Sequence, residues 1–280
     1  MNIQEFIIAA LAEDIGSGDH STLASIDAKV AGSAKLIVKE AGIIAGIRIA
    51  KEVFLHLDKE AVFTAYHTDG EYLEVGTIAF TVKAKAQAIL QAERLVLNTM
   101  QRMSGIATLT HSYMEKIKNY STTILDTRKT TPLFRAFEKE AVLLGGAKNH
   151  RMGLYDMIML KDNHIDYCGG IEKAIAAANN YLKEQQLQLP IEVETRSLDD
   201  VKRVVKVGGV QRIMLDNFTP QEIEAALVLI NKQFETEASG GINFDTIESY
   251  AATGVDFISV GAVIHHATSL DLSLKAVLHE

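Results

Sequence analysis

Pro190-Ile-Glu-Val-Glu194 holds a short run, 191–193, that leads to Glu194, and the second half of the chain has six such apolar runs, each ending in a charged, hydroxyl or glycine residue. The other runs are 123–125 leading to Arg128 and Lys129, 157–160 to Lys161, 213–215 to Asp216, Phe234 into Ser239, and 257–260 to Gly261. Their ends lie about 22 to 33 residues apart. A strand with its crossover helix takes roughly 30 residues or somewhat fewer, so the rhythm predicts repeated βα units and an α/β fold. Parallel α/β folds collect their ligands at the carboxyl ends of the strands. Charged, hydroxyl and glycine residues at consecutive strand ends therefore lay out one site in sequence order.

At 280 residues the chain is one large α/β barrel or two smaller domains, and 48% hydrophobic residues supply an ample core. The formal net charge of −8 argues against nucleic acid or an anionic membrane as partner. From Arg128 to Lys161, however, seven Lys/Arg face three acids, an island that suits a small, highly anionic ligand. Within it, Lys139 and Arg135 read as solvated helix charges. The lone Cys168 excludes a disulfide framework and suits a reducing compartment. It sits beside Gly169-Gly170 without a paired base, so a nucleophile is not expected there. Glu5 and Glu13-Asp14 flank the first apolar run, unlike the basic start of a signal peptide. No apolar run approaches the roughly 18 residues of a membrane span. The expectation is a soluble, cytoplasmic protein.

Residues 1–104 lack the βα rhythm. They read as an amphipathic helix at 3–12, a polar turn at 16–22, strands at 32–39, 61–66 and around Ile78, Phe80 and Val82, and helices at 48–57 and 84–103. Gly105 is expected to break the long helix, with a second helix at 107–118, which puts the domain boundary near 105. The tail at 269–279 reads as an amphipathic helix able to return to either domain.

Asp126-Thr-Arg-Lys-Thr-Thr-Pro132 places two cations and three hydroxyls at one strand end. Arginine forks onto carboxylates, while lysine acts as a point charge on phosphate. Asn149-His150-Arg151 lies in a glycine-bounded loop, so His150 and Arg151 beside Arg128 suit a ligand with two carboxylates. Lys161 opens the run Lys161-Asp162-Asn163-His164 and also fits a Schiff-base lysine. His164 reads as a packed or supporting histidine, and no His/Cys set has zinc spacing. Glu192 and Glu194 share one side of their strand, with Glu192 a layer deeper, and Asp216 ends the neighbouring strand. Glu194 and Asp216 would repel each other less by sharing Mg²⁺ or facing a developing positive charge. The plainer alternative is an ion pair with Arg196 or Lys161. Ser239-Gly240-Gly241, before a helix expected near Asn243, and Gly261 would let phosphate oxygens approach backbone N–H groups.

Taken in order, 127–132, 149–154, 160–165, 192–194, 215–218, 239–241 and 254–261 resemble the quinolinate phosphoribosyltransferases. The segments 13–19, 40–46, 92–94 and 104–107 extend the resemblance over nearly the whole chain. It implies an N-terminal α/β sandwich domain over 1–104 and an open TIM-like α/β barrel of about seven strands over 105–266. The tail, 267–280, is left able to pack on the first domain. Substrates would be quinolinate and 5-phosphoribosyl 1-pyrophosphate. Arg128, His150, Arg151 and Lys161 would hold quinolinate, with Arg94 reaching in from the partner of a homodimer. Lys129, Ser239, Gly240, Gly241 and Gly261 would bind the phosphoribosyl group. Glu194 and Asp216 would hold Mg²⁺, with Lys129, Glu194 and Asp216 as catalytic groups. The chain departs from the family pattern at Leu133, where glycine usually follows the Thr-Pro step, and at Ala147-Lys148 before Asn-His-Arg. The rival readings are a Schiff-base lyase using Lys161 and a non-catalytic anion-binding barrel.

Overall fold

The computed structural model describes residues 2–277. Helix α1 (Ile3–Ile15) starts at a capping box, in which the Asn2 side chain accepts from the Glu5 amide and Glu5 answers to the Asn2 amide. There follow α2 (His20–Ser25), β1 (Ala31–Val38), β2 (Gly42–Ile43), α3 (Ile47–Leu57), β3 (Val62–Ala65), β4 (Tyr72–Leu73) and β5 (Ile78–Lys85). Phe54, Phe63 and Phe80 stack where α3 meets this sheet. Helix α4 (Ala86–Ile117) then runs for 32 residues.

The expected break at Gly105 is absent, because α4 passes straight through it. A methyl group at this position would collide with the Thr268 carbonyl, so the glycine serves close approach rather than helix termination.

The repeating half runs β6 (Thr123–Leu125), α5 (Arg135–Leu144), β7 (Ile158–Leu160), α6 (Asp162–Cys168), α7 (Ile171–Gln185), β8 (Ile191–Thr195), α8 (Leu198–Val207), β9 (Arg212–Asp216), α9 (Pro220–Ile230), β10 (Glu235–Ser239), α10 (Ile247–Ala251), β11 (Phe257–Ser259) and α11 (Ala262–His265). The helix expected near Asn243 thus begins later, at Ile247, after Asn243 has closed a turn onto Thr246. Every strand pairs in parallel, in the order β6-β11-β10-β9-β8-β7. Lys148 adds a seventh, one-residue position, bridging Leu125 in parallel on the outer edge of β6.

This sheet curls. Five strand spacings separate Lys148 from β8, roughly 24 Å if the sheet were flat. Yet His150, two residues past Lys148, places Nε2 2.9 Å from Glu192 of β8. Only a sheet rolled into a barrel brings those atoms together. Among the described residues Lys148 and β7 do not pair, so the barrel is open between them.

The tail is a strand, β12 (Leu272–Ala276), and not the expected helix. Leu270, Leu272 and Leu274 alternate with polar residues and are buried, the period of a strand. β12 pairs antiparallel with β1, completing a sheet of order β12-β1-β5-β3. The last residues of the expected helix, 278–279, lie outside the described residues.

By Cα packing the chain forms two compact units. The first comprises residues up to His111, Thr131–Gly146 and the chain from His266 onward; the second comprises Ser112–Thr130 and Ala147–His265. Helix α5, lying between two barrel strands in sequence, therefore belongs with the first unit. There Glu138 is fully buried, receives Arg102 at 2.8 Å, and accepts the amide and hydroxyl of Thr131. Lys139, expected as a solvated charge, is also fully buried. The apolar face of α5 packs inward through Phe137, Ala141 and Val142, and both charged residues go in with it.

Candidate active site

The strand ends of the second unit converge at one mouth. On β8, β9 and β10, register places Glu194 beside Met214, and Ser239 beside Asp216. Alternation turns Glu192 and Glu194, Arg212 and Asp216, and Glu237 and Ser239 to the barrel interior in two layers.

In the upper layer the Lys161 ammonium lies 2.9 Å from the Glu194 carboxylate, half-buried against it. This is the ion pair that stood as the plain alternative for Glu194; Arg196 pairs with Asp166. Burial, together with the charge of Glu194, pushes the Asp216 carboxyl above its usual range. Lys161 and hydrogen bonds from Asn217 and Ser239 oppose that push. Asn217 takes the left-handed conformation (φ 58°) and donates to Asp216 at 2.6 Å. Its backbone N–H reaches the Ser239 carbonyl at 2.8 Å. A side chain at Gly240 would strike Asn217, so the glycine at this strand end is required by space as well as by its φ of 96°.

Arg128 and Lys129 are exposed on the loop after β6. The Lys129 stem lies over Gly261, where an added methyl would sit 3.2 Å from its Cδ and 3.0 Å from His265 Nε2. Arg151 is half-buried. Burial, then the positive charge of Arg128, destabilise its guanidinium, two costs that an anionic ligand would relieve. His164 is exposed, and its Nδ1 accepts the Lys161 amide. Cys168 is exposed at the end of α6.

The lower layer is a buried ionic network. Glu192 and Glu237 have no exposed surface, and Arg212 Nη1 reaches Glu237 at 3.0 Å. His150 faces Glu192 at 2.9 Å and Glu237 at 3.5 Å. Fully buried Asp126 accepts the His150 amide at 2.9 Å. Burial and the charge of Glu192 push Glu237 up to about 7. Burial raises Glu192 as well, against the opposing pull of Arg212 and a hydrogen bond to Glu237.

The second unit thus contains Arg128, Lys129, His150, Arg151, Lys161, Glu194, Asp216, Ser239, Gly240, Gly241 and Gly261. Arg94 stands exposed on α4 in the first unit. Sequence reading missed Glu237, Arg212, Asn217 and Asp126. The signal for two of them was present. Glu237 precedes Ser239 by two residues and Arg212 precedes Asp216 by four, spacings that keep each pair on one face of a strand.

An open parallel α/β barrel with cations and carboxylates gathered at its carboxyl mouth defines a barrel enzyme acting on an anionic substrate. Two family models match the chain: quinolinate phosphoribosyl transferase, N-terminal domain, over residues 19–104, and its C-terminal domain over 106–275. The chain belongs to the quinolinate phosphoribosyl transferase family. It is 43% identical to the chloroplastic nicotinate-nucleotide pyrophosphorylase (carboxylating) of Oryza sativa subsp. japonica, over 98% of this chain and 77% of that protein. A probable nicotinate-nucleotide pyrophosphorylase (carboxylating) of Synechocystis is 41% identical over 95% of this chain and 90% of that one. Among solved structures, NadC from Streptococcus pyogenes is similar with a TM-score of 0.92 and 40% identity, over 98% of this chain and 95% of that one. No helix among the described residues is long and apolar enough to cross a membrane.

Proposed function

We infer that this chain transfers the phosphoribosyl group of 5-phosphoribosyl 1-pyrophosphate to the ring nitrogen of quinolinate. Pyrophosphate and CO₂ leave, and nicotinate mononucleotide remains, a step of de novo NAD biosynthesis. The observation that carries this reading is the family match over 19–104 and 106–275 laid over one barrel mouth, where Arg128 and Arg151 adjoin each other and Glu194 adjoins Asp216.

The pyridine nitrogen attacks C1 of the ribose with its own lone pair, so no general base is needed. The C1–O bond to pyrophosphate breaks through an oxocarbenium-like state, as in glycoside cleavage. Glu194 and Asp216 face that developing positive charge, and Lys129 neutralises charge on the leaving group. Ser239, Gly240, Gly241 and Gly261 offer close backbone approach to the phosphate. After transfer, the quaternary nitrogen accepts the electron pair of the bond to the adjacent carboxylate. CO₂ departs and the ring carbon takes a proton. Arg128, Arg151 and Lys161 hold the two carboxylates, and they must not over-stabilise the one that is lost, since ground-state binding alone does not speed chemistry.

The donor set fits Mg²⁺. Two neighbouring carboxylates, Glu194 and Asp216, offer hard oxygen ligands, and the rise at Asp216 comes from burial and then from the charge of Glu194, a repulsion that a cation relieves. When bound, the ion would neutralise pyrophosphate charge. A homodimer in which Arg94 completes the partner's quinolinate pocket is supported by the exposure of Arg94 on α4 and by its family motif. Placement in the cytoplasm is supported by the single, unpaired cysteine.

A Schiff-base role for Lys161 is disfavoured, because its Nζ is engaged by Glu194. Incubation of the protein with Mg²⁺ and phosphoribosyl pyrophosphate should release pyrophosphate and CO₂ only when quinolinate is added. Absence of either product would overturn the reading.

A further inference from the structure

His150 uses both ring nitrogens within the protein. Nδ1 lies 2.7 Å from the Arg151 amide nitrogen, which donates to it, and Nε2 lies 2.9 Å from Glu192 Oε2. A ring nitrogen that accepts a hydrogen bond carries no proton, so the imidazole proton resides on Nε2 and is donated to Glu192. A second proton would set an Nδ1–H against the Arg151 N–H and remove that bond. Glu237 completes the cluster, 3.5 Å from His150 Nε2 and 3.0 Å from Arg212 Nη1.

Three contacts then fix the 150–151 segment. Asp126 accepts the His150 amide, His150 Nδ1 accepts the Arg151 amide, and the Met157 carbonyl accepts Arg151 Nη1 at 3.3 Å. We propose that His150 is a positioning residue: a neutral Nε2–H imidazole, seated on Glu192 with Glu237 beside it, whose Nδ1 fixes the Arg151 backbone and thereby aims the Arg151 guanidinium at a substrate carboxylate. His150 does not itself bind the substrate as a cation. The aiming role rests on the reading that this mouth takes quinolinate.

The same geometry decides another question. His150, Glu192 and Glu237 offer three ligand atoms within 4.8 Å of one another, a spacing that fits a metal ion. A metal would need the Nε2 lone pair, and the Arg151 amide forces a proton onto that nitrogen. The cluster is therefore a hydrogen-bonded seat rather than a metal site.

The test begins with the wild-type protein labelled with ¹⁵N-histidine. The ring of His150, identified by the signal missing from His150→Asn, should show the neutral Nε2–H pattern across about pH 6 to 8, where a free imidazole titrates. An imidazolium or an Nδ1–H tautomer in that window overturns the proposal, whatever the enzyme's substrate proves to be. In kinetics, His150→Ala should raise KM for quinolinate about tenfold and leave KM for phosphoribosyl pyrophosphate within about twofold. His150→Asn places a carbonyl oxygen where Nδ1 stood, so it should recover quinolinate KM to within about threefold of wild type. Failure of asparagine to rescue would instead favour a cationic histidine and sink the aiming role. A wild-type protein that makes no pyrophosphate from quinolinate would sink the functional reading alone, leaving the tautomer result to stand or fall separately.

Discussion

Glu192 and Glu194 stand two residues apart on the same face of β8, yet they belong to different chemical worlds. Glu194 is at the mouth, paired with a half-exposed lysine. Glu192 is one layer down, closed off from water and joined to Glu237, His150 and Arg212. The difference teaches that depth in a barrel sorts identical side chains by role. Charges at the rim stay available to substrate, whereas charges below must satisfy one another and so act as scaffold.

The largest expected effect tests whether the lower layer is a proton-sharing scaffold. Folded Glu237 keeps its proton to about 7, whereas its usual value is 4.5. Between those values the native state binds a proton that the unfolded chain releases, so raising the pH across that window removes stability, on the order of 3 kcal/mol in total. Glu237→Gln has no such proton to lose. Urea melts at about pH 5 and pH 9 should show the variant's stability drop smaller than the wild type's by roughly that amount. Equal drops would dissolve the contrast between layers.

At the rim, Arg128→Ala should cost at least about a hundredfold in kcat/KM for quinolinate, equivalent to about 2.7 kcal/mol of transition-state stabilisation. Steady-state assays returning near-wild-type turnover would remove Arg128 from the substrate. Next in size, Asp216→Asn should weaken Mg²⁺-dependent binding of phosphoribosyl pyrophosphate about tenfold by calorimetry. Unchanged metal dependence would leave Glu194 as the sole rim carboxylate with a ligand role.

The smallest effect concerns a position in neither layer. Leu133 is 79% exposed and holds φ at 63°, a conformation that glycine adopts freely and leucine at a cost of about 1–2 kcal/mol. Leu133→Gly recovers that cost and gives back part of it to chain entropy in the unfolded state. The melting temperature should rise by about 1–3 °C. A fall would show that Leu133 makes contacts worth more than its strain.

The parallel barrel was legible because the end of each strand carries a chemical mark at a regular interval, a local pattern that needs no knowledge of tertiary contacts. Mouth residues such as Lys161, Glu194 and Asp216 were readable for the same reason. Gly105 was misread because the Thr268 carbonyl that demands it lies far along the chain and leaves no trace nearby. Lys139 was misread because charge alone predicts exposure, whereas the apolar face of α5 carried it inward. The strand at 272–276 was an avoidable error, since its leucines alternate. His150 is the instructive case. Its motif was visible, but its partners come from strands across the barrel, and only the curl of the sheet brings them within reach.

Strand β12 has a consequence for how the protein is made. Ala276 pairs with Ala34, so the outer edge of β1 stays bare until 242 further residues have been synthesised. At the usual pace of translation, about 5–20 residues per second, that interval lasts roughly 12 to 48 s. An uncapped edge is a template for pairing with foreign strands. The antiparallel sheet that holds β1 is consequently among the last structures to close. Until then the early strand β1 carries an open edge whose partner lies at the far end of the sequence.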